Sequence, residues 1–315
     1  MTFSAPQNCT SCASSPLKTL HLRDTLIYYV CPSCRHCEKA VDENSSINKS
    51  FEDAQEKYFG EDSAIFQVTQ SPFEEEVLAK RIDVLSRYLP QNGSVIEVGP
   101  GGGAVLNWLI QKGHQPIAIE HSPSLSDHLA QHYKIAVKTG EFETLDMENK
   151  GFDAFCSFHV IEHVRDPMAH LGKAFSAVRP GGMAFVATPN ARSWEQRIPG
   201  HLSPNYDSAH LRVFSPESLS KLAQDAGWHV QEVITPEFTM GWLRVLSKIV
   251  RRIKGEHEES TAGKYAGTVT DKQRGIYRVA NLITMPVRAI QARLGGGNEL
   301  FFVLQRPDIK QAKKS

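Results

Sequence analysis

The chain has 315 residues, with Lys+Arg and Asp+Glu at 35 each and a formal net charge of zero. That balance gives none of the general attraction to phosphates on which nucleic-acid binders rely, while 41% apolar residues are enough for a sizeable core. The start Met1-Thr2-Phe3-Ser4-Ala5-Pro6 lacks the charged and apolar stretches of a secretory leader, and no apolar run approaches the ~18 residues of a membrane span, so a cytoplasmic protein is expected.

Five of the six cysteines fall within the first 37 residues. Cys9-x-x-Cys12 and Cys31-x-x-Cys34 have the spacing of a four-thiolate zinc site, and the segments 17–22 and 26–30 between them read as a hairpin. Disulfides do not suit a reducing compartment. His36 and Cys37 are spare ligands able to replace Cys34. The metal is expected to be structural, because so short a module buries too little apolar area to fold alone. Residues 1–45 form this module. Residues 46–93 read as a linker and helical cap, with an amphipathic helix from Pro72 to Leu89 that puts Val77, Ile82, Leu85 and Leu89 on one face.

Strands and helices then alternate. Strands are predicted at 94–98, 116–120, 135–138, 153–158 and 183–188, and helices at 103–112, 124–132 and 167–178. Arg179-Pro180-Gly181-Gly182 reads as the turn before the fifth strand. A helix over 216–226 and strands at 228–234 and 300–305 complete the set. This order predicts an α/β fold with a mostly parallel sheet covered on both faces. A helical insert spans 241–297. Its first helix, Trp242–Lys254, carries five bases and no acid beside a row of large apolar residues. It suits either peripheral contact with an anionic membrane or a cap with a solvated basic face, and the second is favoured. A second helix near 275–294 is expected to bend or break at Pro286. The tail, 308–315, is basic and loose.

The stretch Val95-Ile96-Glu97-Val98-Gly99-Pro100-Gly101-Gly102-Gly103 carries the most chemistry. A buried strand ends in glycines that let backbone approach a ligand, and a helix N-terminus follows. The second strand ends in Glu120, a carboxylate placed to accept hydrogen bonds from ribose hydroxyls. Gly99-x-Gly101-x-x-Ala104 formally fits a dinucleotide fingerprint. Glu97 argues against it, since a carboxylate there would face pyrophosphate as a like charge. S-adenosylmethionine has no phosphate and carries an ammonium and a sulfonium, so an acid at that place attracts it.

From Phe73 to Arg306 the chain resembles class I S-adenosylmethionine-dependent methyltransferases of the ubiquinone-biosynthesis O-methyltransferase branch. The matching pieces are Glu97 to Gly103, Glu120, Phe152 to Val164, Arg179 to Asn190, and His210-Leu211-Arg212-Val213-Phe214-Ser215. A cysteine zinc module ahead of such a domain also resembles some sugar methyltransferases. The resemblance implies a Rossmann-like sheet of seven strands with the last one antiparallel. It places Gly99, Gly101 and Gly103 against the cofactor, Glu97 near its ammonium and Glu120 on the ribose. It makes Glu141 and Phe142 the candidates for the adenine, and sets Phe158 and His159 beside the sulfonium.

Methyl transfer to a hydroxyl benefits from a base. His159, Glu162 and His163 have the spacing of one helical turn, and in the quinone enzymes the matching motif begins with Glu and is associated with magnesium. His159 in that place makes a magnesium site doubtful, because hard cations prefer oxygen. His159, His163 and His210 are therefore the candidate bases, with His201 and Tyr206 as candidate pocket residues. The expected acceptor is a small molecule: a sugar, a lipid-linked glycan or a quinone-like phenol. The alternatives are an RNA methyltransferase with a zinc module, disfavoured by the charge balance, and a non-catalytic binding protein of the same fold, disfavoured by the intact glycines and Glu97.

Overall fold

The computed structural model describes residues 8–23, 26–40, 71–147, 151–198, 203, 205–207, 209–254 and 270–308. The helical pattern over 51–70, His201 and the tail from 309 lie outside the described residues.

The N-terminal module is a hairpin of β1 (Lys18–Arg23) and β2 (Leu26–Val30), followed by β3 (Cys37–Lys39). Helix α1 (Pro72–Tyr88) opens the larger body. Ser71 caps it, accepting from the Glu74 N–H, while the Glu74 carboxylate accepts from the Ser71 N–H. Then come β4 (Ser94–Val98), α2 (Ala104–Gln111), β5 (Gln115–Glu120), α3 (Pro123–Tyr133), β6 (Val137–Thr139), β7 (Phe152–Phe158), α4 (Pro167–Ala177) and β8 (Val178–Pro189). The chain continues through the short α5 (Trp194–Arg197), β9 (Arg212–Val213), α6 (Pro216–Asp225), β10 (His229–Ile234), α7 (Met240–Ile253), α8 (Asp271–Arg293) and β11 (Glu299–Gln305).

The main sheet has seven strands in the order β10-β11-β8-β7-β4-β5-β6. The strands from β8 to β6 are parallel, and β11 enters antiparallel between β8 and β10. Its central strands read as continuous apolar runs because both faces are covered. Along β11, Leu300, Phe302 and Leu304 face the core under α4 and α6, while Phe301 and Val303 face the core under α1 and α2. Val84 and Leu85 of α1 are fully buried in that second core, so α1 is an integral layer of this body.

Two predicted details are corrected. The turn at 179–182 is a wide bulge inside β8: Phe152 pairs with Val178 and Ala154 with Met183, so the intervening residues have no partners on β7. A Cβ on Gly182 would lie 2.8 Å from the Asp153 carbonyl oxygen, which explains a glycine there. Helix α8 runs unbroken through Pro286 and starts before the predicted position. Pro286 sits on the exposed side of the helix, where a carbonyl without an intrahelical partner stays accessible to water.

The module does not stand apart. Cys37 and Glu38 of β3 pair with Val213 and Arg212 of β9, giving a four-stranded sheet β1-β2-β3-β9. The four predicted thiolates come together: Cys9 and Cys34 Sγ are 3.6 Å apart, Cys12 and Cys31 Sγ 3.5 Å, and all four lie within 4.8 Å of one another. A tetrahedral zinc with Zn–S of ~2.3 Å has sulfurs ~3.8 Å apart, so the set fits that ion. Both knuckles turn through a left-handed residue after the second cysteine, Ala13 at φ 58° and Arg35 at φ 67°. The spare ligands stay out. Cys37 Sγ contacts the Arg35 carbonyl oxygen, and buried His36 tilts against Phe214.

Two outcomes are expected. Phe302→Ala, which empties a fully buried ring site, should cost about 3–5 kcal/mol in denaturant unfolding. Metal analysis of the purified protein should find about one zinc per chain, and Cys9→Ser should release it. A zinc-free protein with an unchanged melt would refute the thiolate site.

Candidate active site

The carboxyl ends of the parallel strands meet where the sheet order reverses between β4 and β7, the place where open α/β sheets bind ligands. The loop after β4 turns through Gly99, Gly101 and Gly103 at φ 63°, 55° and 77°. These three glycines are not equivalent. A Cβ on Gly99 would lie 2.6 Å from Val160, and one on Gly103 would run into the Tyr133 ring, so packing alone demands glycine at both. A Cβ on Gly101 would meet nothing within 4 Å. Gly101 is the glycine that leaves open space at the sheet edge. Gly103 caps α2 without a side-chain bond, which leaves that helix's first N–H groups available.

Glu97 is buried, and its Oε2 has no hydrogen-bond partner. Burial pushes its carboxyl up to about 8, against the pull of the Arg81 charge. A buried carboxylate with an orphaned oxygen is costly unless a cation meets it. The ammonium of S-adenosylmethionine is such a cation, so the residues present fit that cofactor. Glu120, also buried and raised by desolvation, ends β5; its Oε1 accepts from the Ser122 N–H at 3.0 Å. Glu141 is exposed in the loop after β6. Phe142 belongs to the core instead, its ring 5.4 Å from those of Phe155 and His170. Phe158 packs on Phe301, with the Arg81 guanidinium 4.6 Å above its ring.

Beyond β7, His159 adopts φ 56°, a left-handed conformation that costs a non-glycine residue some strain. Its Nε2–H donates to Glu299 Oε2 at 2.6 Å and its Nδ1–H to Glu162 Oε1 at 3.1 Å. The ring is 42% exposed; desolvation by its surroundings opposes its charge, but the two carboxylates outweigh that and hold the imidazolium up to about 9. Glu162 is driven the other way: burial would raise it, yet the bond and charge of His159 bring it down to about 2. His159 therefore carries both protons at neutral pH and has no lone pair for a third. Its candidacy as base is corrected on that ground.

His163 and His210 are placed differently. Each ring sets Nδ1 on a backbone carbonyl at 2.9 Å, His163 on Ala209 and His210 on Asn205. Nδ1 is then the protonated nitrogen, and Nε2 carries the lone pair. The rings are 5.0 Å apart, and one nitrogen of each lies within 4.8 Å of a Glu162 oxygen. Burial lowers His163 and keeps it neutral. This cluster has the N and O donors that transition metals accept more readily than magnesium does. Tyr206 is buried, its ring 4.9 Å from Tyr28 and its hydroxyl 3.9 Å from Cys37 Sγ, so it lines the module contact.

Sequence reading missed Arg81, Thr188 and Glu299. Thr188 Oγ1 donates to Glu162 Oε2 at 3.0 Å, and Arg81 lies 3.8 Å from Glu299. Glu299 was detectable in principle: it is the first residue of an antiparallel strand, which brings a strand start to the edge where the others end.

The histidine assignment predicts pH behaviour. A ring held above its unfolded value favours the fold below pH ~6.5, and that contribution fades as pH rises toward 9. An NMR titration of His159 should keep both ring nitrogens protonated until about 9. A midpoint near ~6.5 would show that the carboxylates do not hold it.

Comparison with known proteins agrees with this geometry. The family described as "Methyltransferase domain" matches residues 72–233, about half of the chain. A probable S-adenosylmethionine-dependent methyltransferase of Mycolicibacterium smegmatis is 26% identical over 141 residues, 44% of this chain and 53% of that protein. The ubiquinone biosynthesis O-methyltransferase of Xanthomonas campestris is 28% identical over 182 residues, 56% of this chain and 71% of that protein. The chain thus spans about half of the first of these relatives and about seven-tenths of the second. The structure of Haemonchus contortus phosphoethanolamine N-methyltransferase 2 in complex with S-adenosyl-L-methionine shares the fold, with a TM-score of 0.50 at 15% identity over 86% of this chain and 62% of that one. With a parallel sheet, an acid-lined glycine loop and a family match across half its length, this chain belongs to the methyltransferase-domain family.

Proposed function

We propose that the protein transfers a methyl group from S-adenosylmethionine to a hydroxyl of a small-molecule acceptor. The orphaned, buried carboxyl of Glu97 carries the reading, because a ligand cation would let it ionise and pair, whereas phosphate would oppose its ionisation. When bound, the cofactor supplies an electrophilic methyl group on sulfonium. Glu97 holds the ammonium end, Gly101 leaves room for the ligand, Glu120 holds the ribose and Glu141 faces the adenine. The protein's remaining task is alignment and proton removal. His210 is the base this reading favours, its Nδ1 set on the Asn205 carbonyl oxygen so that Nε2 is the accepting nitrogen, and His163, set the same way on Ala209, packs beside it. His159 is a fixed cation that keeps Glu162 ionised. Burial lowers His163, and the charge of Glu162 opposes that by favouring its imidazolium form. The quinone relatives favour a phenolic hydroxyl among the acceptor classes, and the cysteine module is compatible with a sugar.

Calorimetry tests the cofactor assignment. Because the free carboxyl of Glu97 sits at about 8, cofactor binding near neutral pH should release about one proton, and Glu97→Gln should abolish that release. Glu120→Ala should weaken binding about tenfold or more, one charged hydrogen bond being worth roughly 1.5–3 kcal/mol. Equal affinity and equal proton release in wild type and both variants would remove these acids from the site.

A further inference from the structure

Helix α8 is built inside out. The face toward the protein is polar: Tyr277 Oη donates to Glu76 at 2.5 Å, Arg288 to Glu76 at 2.6 Å and to the Glu237 carbonyl oxygen at 3.0 Å, and Gln291 to Glu237 Oε2 at 2.7 Å. The opposite face is apolar. Ile276, Val279, Ile283, Val287, Ile290 and Leu294 recur at three- and four-residue spacing and are 54–71% exposed. Helices on a protein surface normally show the reverse arrangement. A contiguous apolar stripe of this length marks a contact with something other than water.

We propose that this face of α8 docks on an anionic lipid surface. Charge selects that occupant. Within α7 and α8 the sequence holds nine Lys and Arg against one Asp; Arg274 and Arg288 are paired with Glu75 and Glu76, which leaves seven, while the whole chain is neutral, so the rest of the molecule is net negative. On α8 itself the exposed bases Lys272, Arg278 and Arg293 accompany the stripe. Apolar residues rimmed by bases suit insertion among acyl chains with the cations at phosphate headgroups. A second copy of the chain would instead set two basic helices face to face. Helix α7 adds exposed Val250 and Ile253, and its Trp242 Nε1–H donates to Gln291 Oε1 at 3.1 Å, tying the two helices together. No helix among the described residues is long and apolar enough to cross a membrane, so the contact is with the surface alone. Residues 294–298 lead from α8 into β11, whose first residue is Glu299. The inference does not depend on which acceptor is methylated.

Flotation of the full-length protein with vesicles of phosphatidylcholine, with and without phosphatidylglycerol, tests it. Binding should require phosphatidylglycerol and weaken in high salt. The double variant Ile283→Asp, Val287→Asp should lower partitioning about tenfold or more with unchanged melting and unchanged S-adenosylmethionine binding. Equal partitioning of the variant would overturn the assignment of this face. So would failure to float with either vesicle, and so would a dimer in sedimentation that the variant converts to monomer, which would make the face a self-association surface.

Discussion

Glu162 has no exposed surface, and three separate parts of the chain reach it. His159, from the same loop, and Thr188, from the end of β8, bond its carboxylate; the N–H groups of Leu211 and Arg212 donate to its main-chain carbonyl oxygen at 2.9 and 3.2 Å. A buried carboxylate left unpaired costs several kcal/mol, so the loop after β7 and the end of β8 are held together by this charge, while the residue's backbone carbonyl holds the 211–212 segment. Turn geometry at the end of β7 and the protonation of His159 follow from the carboxylate, and the position of Leu211 and Arg212 from the carbonyl of the same residue. In this site a buried acid sets which imidazole is a fixed cation.

The cysteine module takes part in that arrangement. Tyr28, buried in β2, donates toward the carbonyl oxygens of Asp207 and His210, at 2.9 and 2.6 Å, and the Lys39 N–H donates to Leu211 at 2.9 Å. Arg212 bonds Glu38 on one side and the carbonyl oxygens of Val164 and Arg165 on the other. The 209–212 segment that carries His210 is therefore clamped between the zinc-fitting module and the loop after β7. The four-thiolate cluster is thus tied to the site through a hairpin, a tyrosine and a two-residue strand.

Much of the fold was legible because it is written locally. Apolar runs such as Val95–Val98 and Leu300–Leu304, proline at helix starts and the CxxC spacing each report a short-range constraint, and the sheet with its antiparallel last strand emerged as expected. What was hidden is long-range. Nothing near Glu299 announces that it will bond His159, and β9 has too few residues to show a strand period. Phe142 lies beside Glu141 in a loop, yet the ring went into the core, since an aromatic gains more by packing on Phe155 than by waiting at an edge. His159 looked like a base because its sequence neighbours are Glu162 and His163; the second carboxylate that protonates it comes from the far end of the chain. Helix α8 was visible as a helix, but its reversed polarity was not, because hydrophobic periodicity does not say which side faces inward.

The pairing of Cys37 with Val213 has a bearing on how the chain is made. The cysteine hairpin, with all its metal ligands, leaves the ribosome before the main sheet, while its outermost strand partner is synthesised only after most of that sheet. Metal capture can therefore precede the Rossmann-like body, but closure of the small sheet has to await it. Loop closure over so many residues is slow. For that interval β3 is an unpaired edge, and its shortness, with Glu38 and Lys39 upon it, guards a nascent chain against pairing with its neighbours.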